Sequence, residues 1–156
     1  MQLGLVGLGK MGFNMRERLR QGGHEVIGYD PRPEVTDVPS LAGLAEALSA
    51  PRAVWVRVPS GPIPADTITE LAEVLSPGDL VVDGGNSKYT EDGKHAELLD
   101  KKGISFVDAG VSGGIWGLTE GYGLMVGGSD EDVARVMPIF DTLRPAGELA
   151  DGFVHA

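Results

Sequence analysis

Short, almost wholly apolar runs recur along this chain, separated by longer segments in which apolar residues return every three or four positions. Gln2–Val6, Glu25–Tyr29, Ala53–Val58, Leu80–Asp83 and Ile104–Asp108 are such runs, and Leu124–Val126 is a shorter one between glycines. They are too short for helices and do not alternate apolar with polar, which is the mark of strands buried on both faces. Phe13–Gln21 predicts a helix: Met11, Met15 and Leu19 share one face, and Gly22-Gly23 supplies the stop. Arg16, Glu17, Arg18 and Arg20 fall off that face and read as its solvated side. Ser40 can cap a helix through Leu48, Pro64–Leu75 is a helix stopped at Ser76-Pro77-Gly78, and Thr90–Lys102 is one stopped at Gly103. Ser129-Asp130 opens a last helix through Leu143, with acidic residues in its first turn where the helix dipole favours them. Strands alternating with helices in this way predict an α/β fold, a doubly wound, mostly parallel sheet with helices on both faces.

The length of 156 residues fits one domain with a real core, and neither an internal repeat nor an interdomain linker interrupts it. A formal net charge of -10 narrows the partners, because a field of that sign repels nucleic acid and anionic membranes. An anionic ligand would have to be held by local N–H donors and helix N-termini instead. There is no cysteine, hence no disulfide and no thiolate chemistry, which fits a reducing cytoplasm. The N-terminus lacks the pattern of a signal peptide, and no apolar run approaches the ~20 residues that span a bilayer.

The 24 glycines cluster between the apolar runs, where a backbone must approach something closely. The first cluster is Gly7-Leu8-Gly9-Lys10-Met11-Gly12, a G-x-G-x-x-G that follows a strand and opens a helix. That context makes it a dinucleotide-binding turn of Rossmann type: one glycine for the tight turn, one for approach to the pyrophosphate, one for close helix packing. Asp30 ends the second strand, 18 residues beyond Gly12, where a carboxylate accepts hydrogen bonds from the adenine ribose. A carboxylate there repels a 2′-phosphate and favours NAD over NADP, while Arg32 is the residue type that accommodates that phosphate. Val58-Pro59-Ser60-Gly61 follows the third strand and is in the right place to line the cofactor, with an ordinary turn as the structural alternative. Asp83-Gly84-Gly85-Asn86-Ser87 and Asp108-Ala109-Gly110-Val111-Ser112-Gly113-Gly114 read as loops after strands, with small polar side chains beside glycines. Asn86 and Ser112 can fix a polyhydroxy carboxylate; Asx and Ser turns are the structural alternative.

In this order, G-L-G-K-M-G, V-P-S-G, D-G-G-N-S and D-A-G-V-S-G-G-I-W-G resemble the 6-phosphogluconate dehydrogenases, within the wider β-hydroxyacid dehydrogenases. The resemblance runs from Gln2 to His155. It implies oxidative decarboxylation of 6-phosphogluconate to ribulose 5-phosphate and CO2 with reduction of NAD. It assigns substrate binding to Asn86, Ser112, Gly113 and Gly114. Cofactor binding falls to Gly7, Leu8, Gly9, Lys10, Met11, Gly12, Asp30, Arg32, Val58, Pro59 and Asn86. NADP-using members carry Asn-Arg where this chain has Asp30-Pro31, so the chain resembles the NAD-preferring type. The family's lysine general base belongs to a segment expected beyond Ala156, as does its all-helical, dimerising domain, and no catalytic residue is assigned within this chain.

His24, His95 and His155 have no metal-ligand spacing and read as surface or loop positions. Trp55 and Phe140 read as core; Trp116 and Tyr122, flanking a glycine-rich loop, read as packing residues. Arg57 sits in an otherwise apolar run without explanation. Two other functions stay open: a β-hydroxyacid dehydrogenase for an unphosphorylated acid, and a non-catalytic dinucleotide-binding module.

Overall fold

A computed structural model of the chain describes residues 2–8, 10–30, 32–49, 51–56, 69–84, 97–112, 123–143 and 153–155. Its strands are β1 (Gln2–Val6), β2 (Glu25–Tyr29), β3 (Ala53–Val56), β4 (Leu80–Asp83), β5 (Ser105–Ser112), β6 (Gly123–Gly127) and β7 (Phe153–His155). The helices are α1 (Lys10–Gln21), α2 (Leu41–Ala47) and α3 (Asp130–Leu143), with further helical residues at 69–74 and 97–101. The strands form one seven-stranded sheet in the order β2-β1-β3-β4-β5-β6-β7. β1 to β5 pair in parallel; β6 runs antiparallel to β5 and carries β7 parallel to itself.

The predicted fold class holds, and burial follows sheet position. The inner strands β3 and β4 are buried at every residue, as apolar runs covered on both faces must be. The edge strand β2 alternates instead. One layer of the core packs Met15 and Leu19 of α1 and Val136, Ile139 and Phe140 of α3 against Leu5, Trp55 and Val82 of the sheet. The other packs Leu41 and Leu44 of α2, with Leu71 and Leu99, against Val54, Val56 and Val81. Trp55 and Phe140 are fully buried, as expected, and meet edge to face with centroids 5.6 Å apart.

Local signals at the element ends also hold. The Ser40 hydroxyl accepts from Gly43 N–H at 2.9 Å, and Gly23 closes α1 at a φ of 89°. At the far end of the sheet the buried Asp79 accepts from the backbone N–H groups of Arg52 and Ser76, at 2.6 and 2.8 Å, and pairs with the Arg52 guanidinium at 3.1 Å. That contact fixes where β3 and β4 start.

Three expectations are corrected. Helix α1 begins at Lys10, not Phe13, so its N-terminus abuts the glycine turn directly. Asp108–Ser112 is strand, not loop: antiparallel pairing with β6, from Asp108 opposite Gly127 to Ser112 opposite Gly123, extends β5 past its apolar run. Of the α1 arginines expected on a solvated side, Arg20 is exposed, but Arg16 and Arg18 are packed against neighbouring elements. Arg16 is only 5% exposed, Arg18 donates to Thr142 O on α3 at 2.7 Å, and Arg20 donates to Val26 O at 2.8 Å. Neighbouring elements pack over that side of the helix and supply the acceptors. His24 likewise meets the Thr142 hydroxyl at 2.7 Å.

Candidate dinucleotide site

The chain reverses direction across the sheet at β1, with β2 on one side and β3 on the other. The crevice beyond the carboxyl ends of β1 and β3 is where such sheets take ligands. β1 delivers Gly7 into it at a φ of 96°, a left-handed conformation that glycine adopts without strain. Gly7 N–H donates to Tyr29 O at 2.9 Å, which ties the turn to the end of β2. Two residues after Leu8, α1 starts, and the N-terminus of a helix offers N–H donors and a positive dipole end to an anion. Gly12 is buried in the first turn of α1, where a small residue lets helix and strand close up.

Asp30 stands at the end of β2 beside this turn, 9% exposed. Its Oδ2 accepts the Leu8 N–H at 2.8 Å. Its Oδ1 accepts Arg32 N–H at 3.0 Å and Arg32 Nε at 2.9 Å. Burial alone pushes this carboxyl up, but the hydrogen bonds from Arg32 and Leu8 and the attraction of the guanidinium outweigh it. Asp30 is therefore held below its ordinary value, ionised and accepting, and the contact raises Arg32 in turn. Arg32 also reaches back to the Leu8 carbonyl at 2.7 Å. The sequence-assigned pair Asp30 and Arg32 is thus joined to the glycine turn in one network.

A second network, not anticipated from the sequence, holds the loop after β2. Oδ2 of Asp37 accepts Gly28 N–H at 2.8 Å, Arg20 Nη2 at 2.8 Å and Arg16 Nη1 at 3.1 Å. Arg16 donates to Val35 O at 3.0 Å and lies under the Phe13 ring, 4.8 Å from its centroid. The residues between Gly28 and Asp37, Asp30 and Arg32 among them, are pinned from both sides. Only the folded-back loop brings Asp37 to α1, so no periodicity in the sequence announces it.

At the carboxyl end of β4, Asp83 is the register partner of Asp108, midway along β5. Asp83 is buried. Asp108 is open along much of its surface, yet the burial its carboxyl does feel, and then the charge of Asp83, push it above its ordinary value. Gly84 follows Asp83 and fits directly against Trp55: a Cβ there would collide with the indole Nε1. That indole N–H is buried and has no hydrogen-bond partner among the described residues.

Of the remaining sequence-assigned positions, Lys10 and Met11 are the first residues of α1, and Ser112 is the last residue of β5, at the same edge of the sheet as the glycine turn. Gly9, Val58, Pro59, Asn86, Gly113 and Gly114 lie outside the described residues, as do Arg57, His95, Trp116 and Tyr122. Among the described residues no cluster of His, Cys, Asp or Glu could hold a metal, and no helix is long and apolar enough to cross a membrane.

A glycine turn opening a helix at the switch point of a parallel sheet, with a carboxylate at the end of the second strand, defines a dinucleotide-binding Rossmann domain. The chain belongs to a particular family of these: residues 2–145 match the NAD binding domain of 6-phosphogluconate dehydrogenase. It is 35% identical to an NAD(+)-dependent, decarboxylating 6-phosphogluconate dehydrogenase of Haloferax volcanii, over 92% of this chain and 50% of that protein. Among solved structures, 3-hydroxyisobutyrate dehydrogenase of Mycobacterium tuberculosis superposes with a TM-score of 0.83 at 27% identity, over 99% of this chain and 53% of that one. The fold is also that of Plasmodium falciparum 6-phosphogluconate dehydrogenase, with a TM-score of 0.88 at 24% identity, over 99% of this chain and 36% of that one. The chain spans about half the length of two of the curated relatives it matches and about a third of others.

Proposed function

We propose that this chain is the cofactor- and substrate-binding half of a decarboxylating 6-phosphogluconate dehydrogenase that prefers NAD to NADP. The observation that carries the cofactor assignment is the ionised Asp30 carboxylate, anchored on the Leu8 N–H at the mouth of the glycine turn. It accepts the hydroxyls of an adenosine ribose and sets an anion against a 2′-phosphate. The residues fit a dinucleotide: the turn after β1 and the start of α1 offer N–H donors to a pyrophosphate, and Gly7, Leu8, Gly9, Lys10, Met11, Gly12, Val58 and Pro59 are the cofactor-binding residues of this proposal. A nicotinamide held there would supply the acceptor for the C3 hydride of the substrate.

The chain's own part is to orient the reactants. In this proposal Asn86, Ser112, Gly113 and Gly114 hold the sugar acid, and Ser112 ends β5 at the edge of the sheet that carries the glycine turn. As C3 is oxidised its hydroxyl proton passes to a base; the resulting β-keto acid then loses CO2 to give ribulose 5-phosphate. That base, and the cations for the substrate phosphate, are assigned to the family's helical half. A homo-oligomeric full-length enzyme and a cytoplasmic location go with this function.

Calorimetric titration with NAD and NADP tests the cofactor assignment: NAD is expected to bind more tightly, and tighter NADP binding overturns it. The likeness to 3-hydroxyisobutyrate dehydrogenase supports a second candidate, a β-hydroxyacid dehydrogenase for an unphosphorylated acid. Turnover of 6-phosphogluconate and 3-hydroxyisobutyrate side by side, by the full-length enzyme, separates the two.

A further inference from the structure

If an adenosine ribose sits at Asp30, as the dinucleotide assignment requires, it meets a carboxylate already engaged on both oxygens. A carboxylate has about four lone-pair positions, two on each oxygen. Oδ1 takes two donors from Arg32, its backbone N–H at 3.0 Å and Nε at 2.9 Å. Oδ2 takes the Leu8 N–H at 2.8 Å and faces Arg32 Nη2 at 3.5 Å. The same Nη2 donates to the Leu8 carbonyl at 2.7 Å, so the guanidinium bridges the end of β2 and the glycine turn. The Arg32 side chain is 52% exposed and that of Asp30 only 10%, which places the arginine on the solvent side of the carboxylate, the side from which a ligand arrives.

We propose that Arg32 sets the cofactor choice of this chain by competing with the adenosine ribose for Asp30. When the guanidinium leaves, the backbone N–H groups of Leu8 and Arg32 stay behind, one on each oxygen. Each oxygen then has one open position, which suits the neighbouring 2′- and 3′-hydroxyls of NAD. NAD therefore binds by breaking the Arg32–Asp30 pair. A 2′-phosphate asks for the opposite arrangement: it offers an anion and needs the guanidinium in place, both to neutralise Asp30 and to donate to the phosphate oxygens. One side chain thus opposes NAD and supports NADP, and Asp30 discriminates less sharply than a bare carboxylate would.

Calorimetric titration of the protein and of Arg32→Ala with NAD and with NADP tests this. Arg32→Ala should tighten NAD by about two- to fivefold, the factor carried by a partly exposed ion pair. It should weaken NADP by about tenfold or more, the loss of a charged donor to phosphate. Changes of opposite sign are the signature of competition. Weakening of both cofactors would mean that Arg32 is simply a contact beneath the dinucleotide, and overturns the proposal; so does a variant that moves neither affinity. Arg32→Lys, which keeps the charge but not the planar fork, serves if the alanine variant unfolds. It should bind NAD more tightly than the parent and lose less NADP affinity than Arg32→Ala; NAD binding unchanged or weaker overturns the proposal. If the parent binds neither dinucleotide, the Rossmann-site assignment itself has failed, and this inference with it.

Discussion

Removing the Asp37 carboxylate should cost this domain a large part of its stability, although Asp37 lies on a surface loop and one-third of its side chain is exposed. Asp37→Ala takes an acceptor from three donors at once. Gly28 N–H, in a buried residue, loses its 2.8 Å acceptor, at about 1–3 kcal/mol. Arg16, with a side chain only 6% exposed, keeps Val35 O but loses its counter-charge. Breaking a fully buried pair costs about 3–5 kcal/mol, and solvent access to Asp37 reduces that here. The more open Arg20 pair adds about 0–1 kcal/mol. A total of about 3 kcal/mol corresponds to a fall in Tm of roughly 6–12 °C for a domain of this size. Thermal unfolding of the parent, Asp37→Ala, Arg16→Met and the double variant reads it directly. Because Arg16→Met removes the stranded charge, the double variant should be more stable than Asp37→Ala alone. NAD affinity should fall in Asp37→Ala as well, since Asp30 and Arg32 lie on the segment that Asp37 pins. A Tm within 2 °C of the parent, or strictly additive single effects, would refute the network argument.

Gly84→Ala places a methyl group into the Trp55 indole and should destabilise the fold by about 1–3 kcal/mol, with a shift in tryptophan emission as the ring moves; an unchanged Tm and spectrum would show that the indole can give way freely. The Asp30 carboxyl is held below its ordinary 3.8, so the stability it contributes is complete above pH 3.8 and is lost as pH falls through the lower folded-state value. Carbon-13 NMR titration of that carboxyl should give a midpoint under 3.8, and a higher midpoint contradicts the hydrogen-bond account. In the full-length enzyme, Asn86→Ala and Ser112→Ala should raise KM or lower kcat by an amount equivalent to about 1.5–3 kcal/mol, with NAD affinity nearly unchanged. Loss of thermal stability with intact kinetics would assign both residues to turns instead.

The sequence alone determined the features that are written locally. Apolar runs identified the strands of the parallel sheet, because a strand covered on both faces needs apolar residues throughout, whatever covers it. Gly7 and Asp30 could be assigned because a turn with positive φ and a carboxylate at a strand end are each defined by residues within a few positions. The tertiary structure decided what lies opposite. Asp108–Ser112 became strand because β6 pairs along it, and neither Gly110 within that stretch nor Gly113-Gly114 after it in the sequence gave a sign of the partner. β7, three residues that escape any periodicity argument, exists by pairing with β6. Arg16 is polar by composition and buried by circumstance, since the loop ending at Asp37 folds over α1 and brings acceptors to it. Arg32 was visible as a cation near Asp30, but its grip on both Asp30 and the Leu8 carbonyl needs the turn after β1 and the end of β2 side by side. Hydrophobic pattern encodes which face of an element is buried; it does not encode which donors and acceptors the chain, once folded, brings to that face from 20 or more residues away.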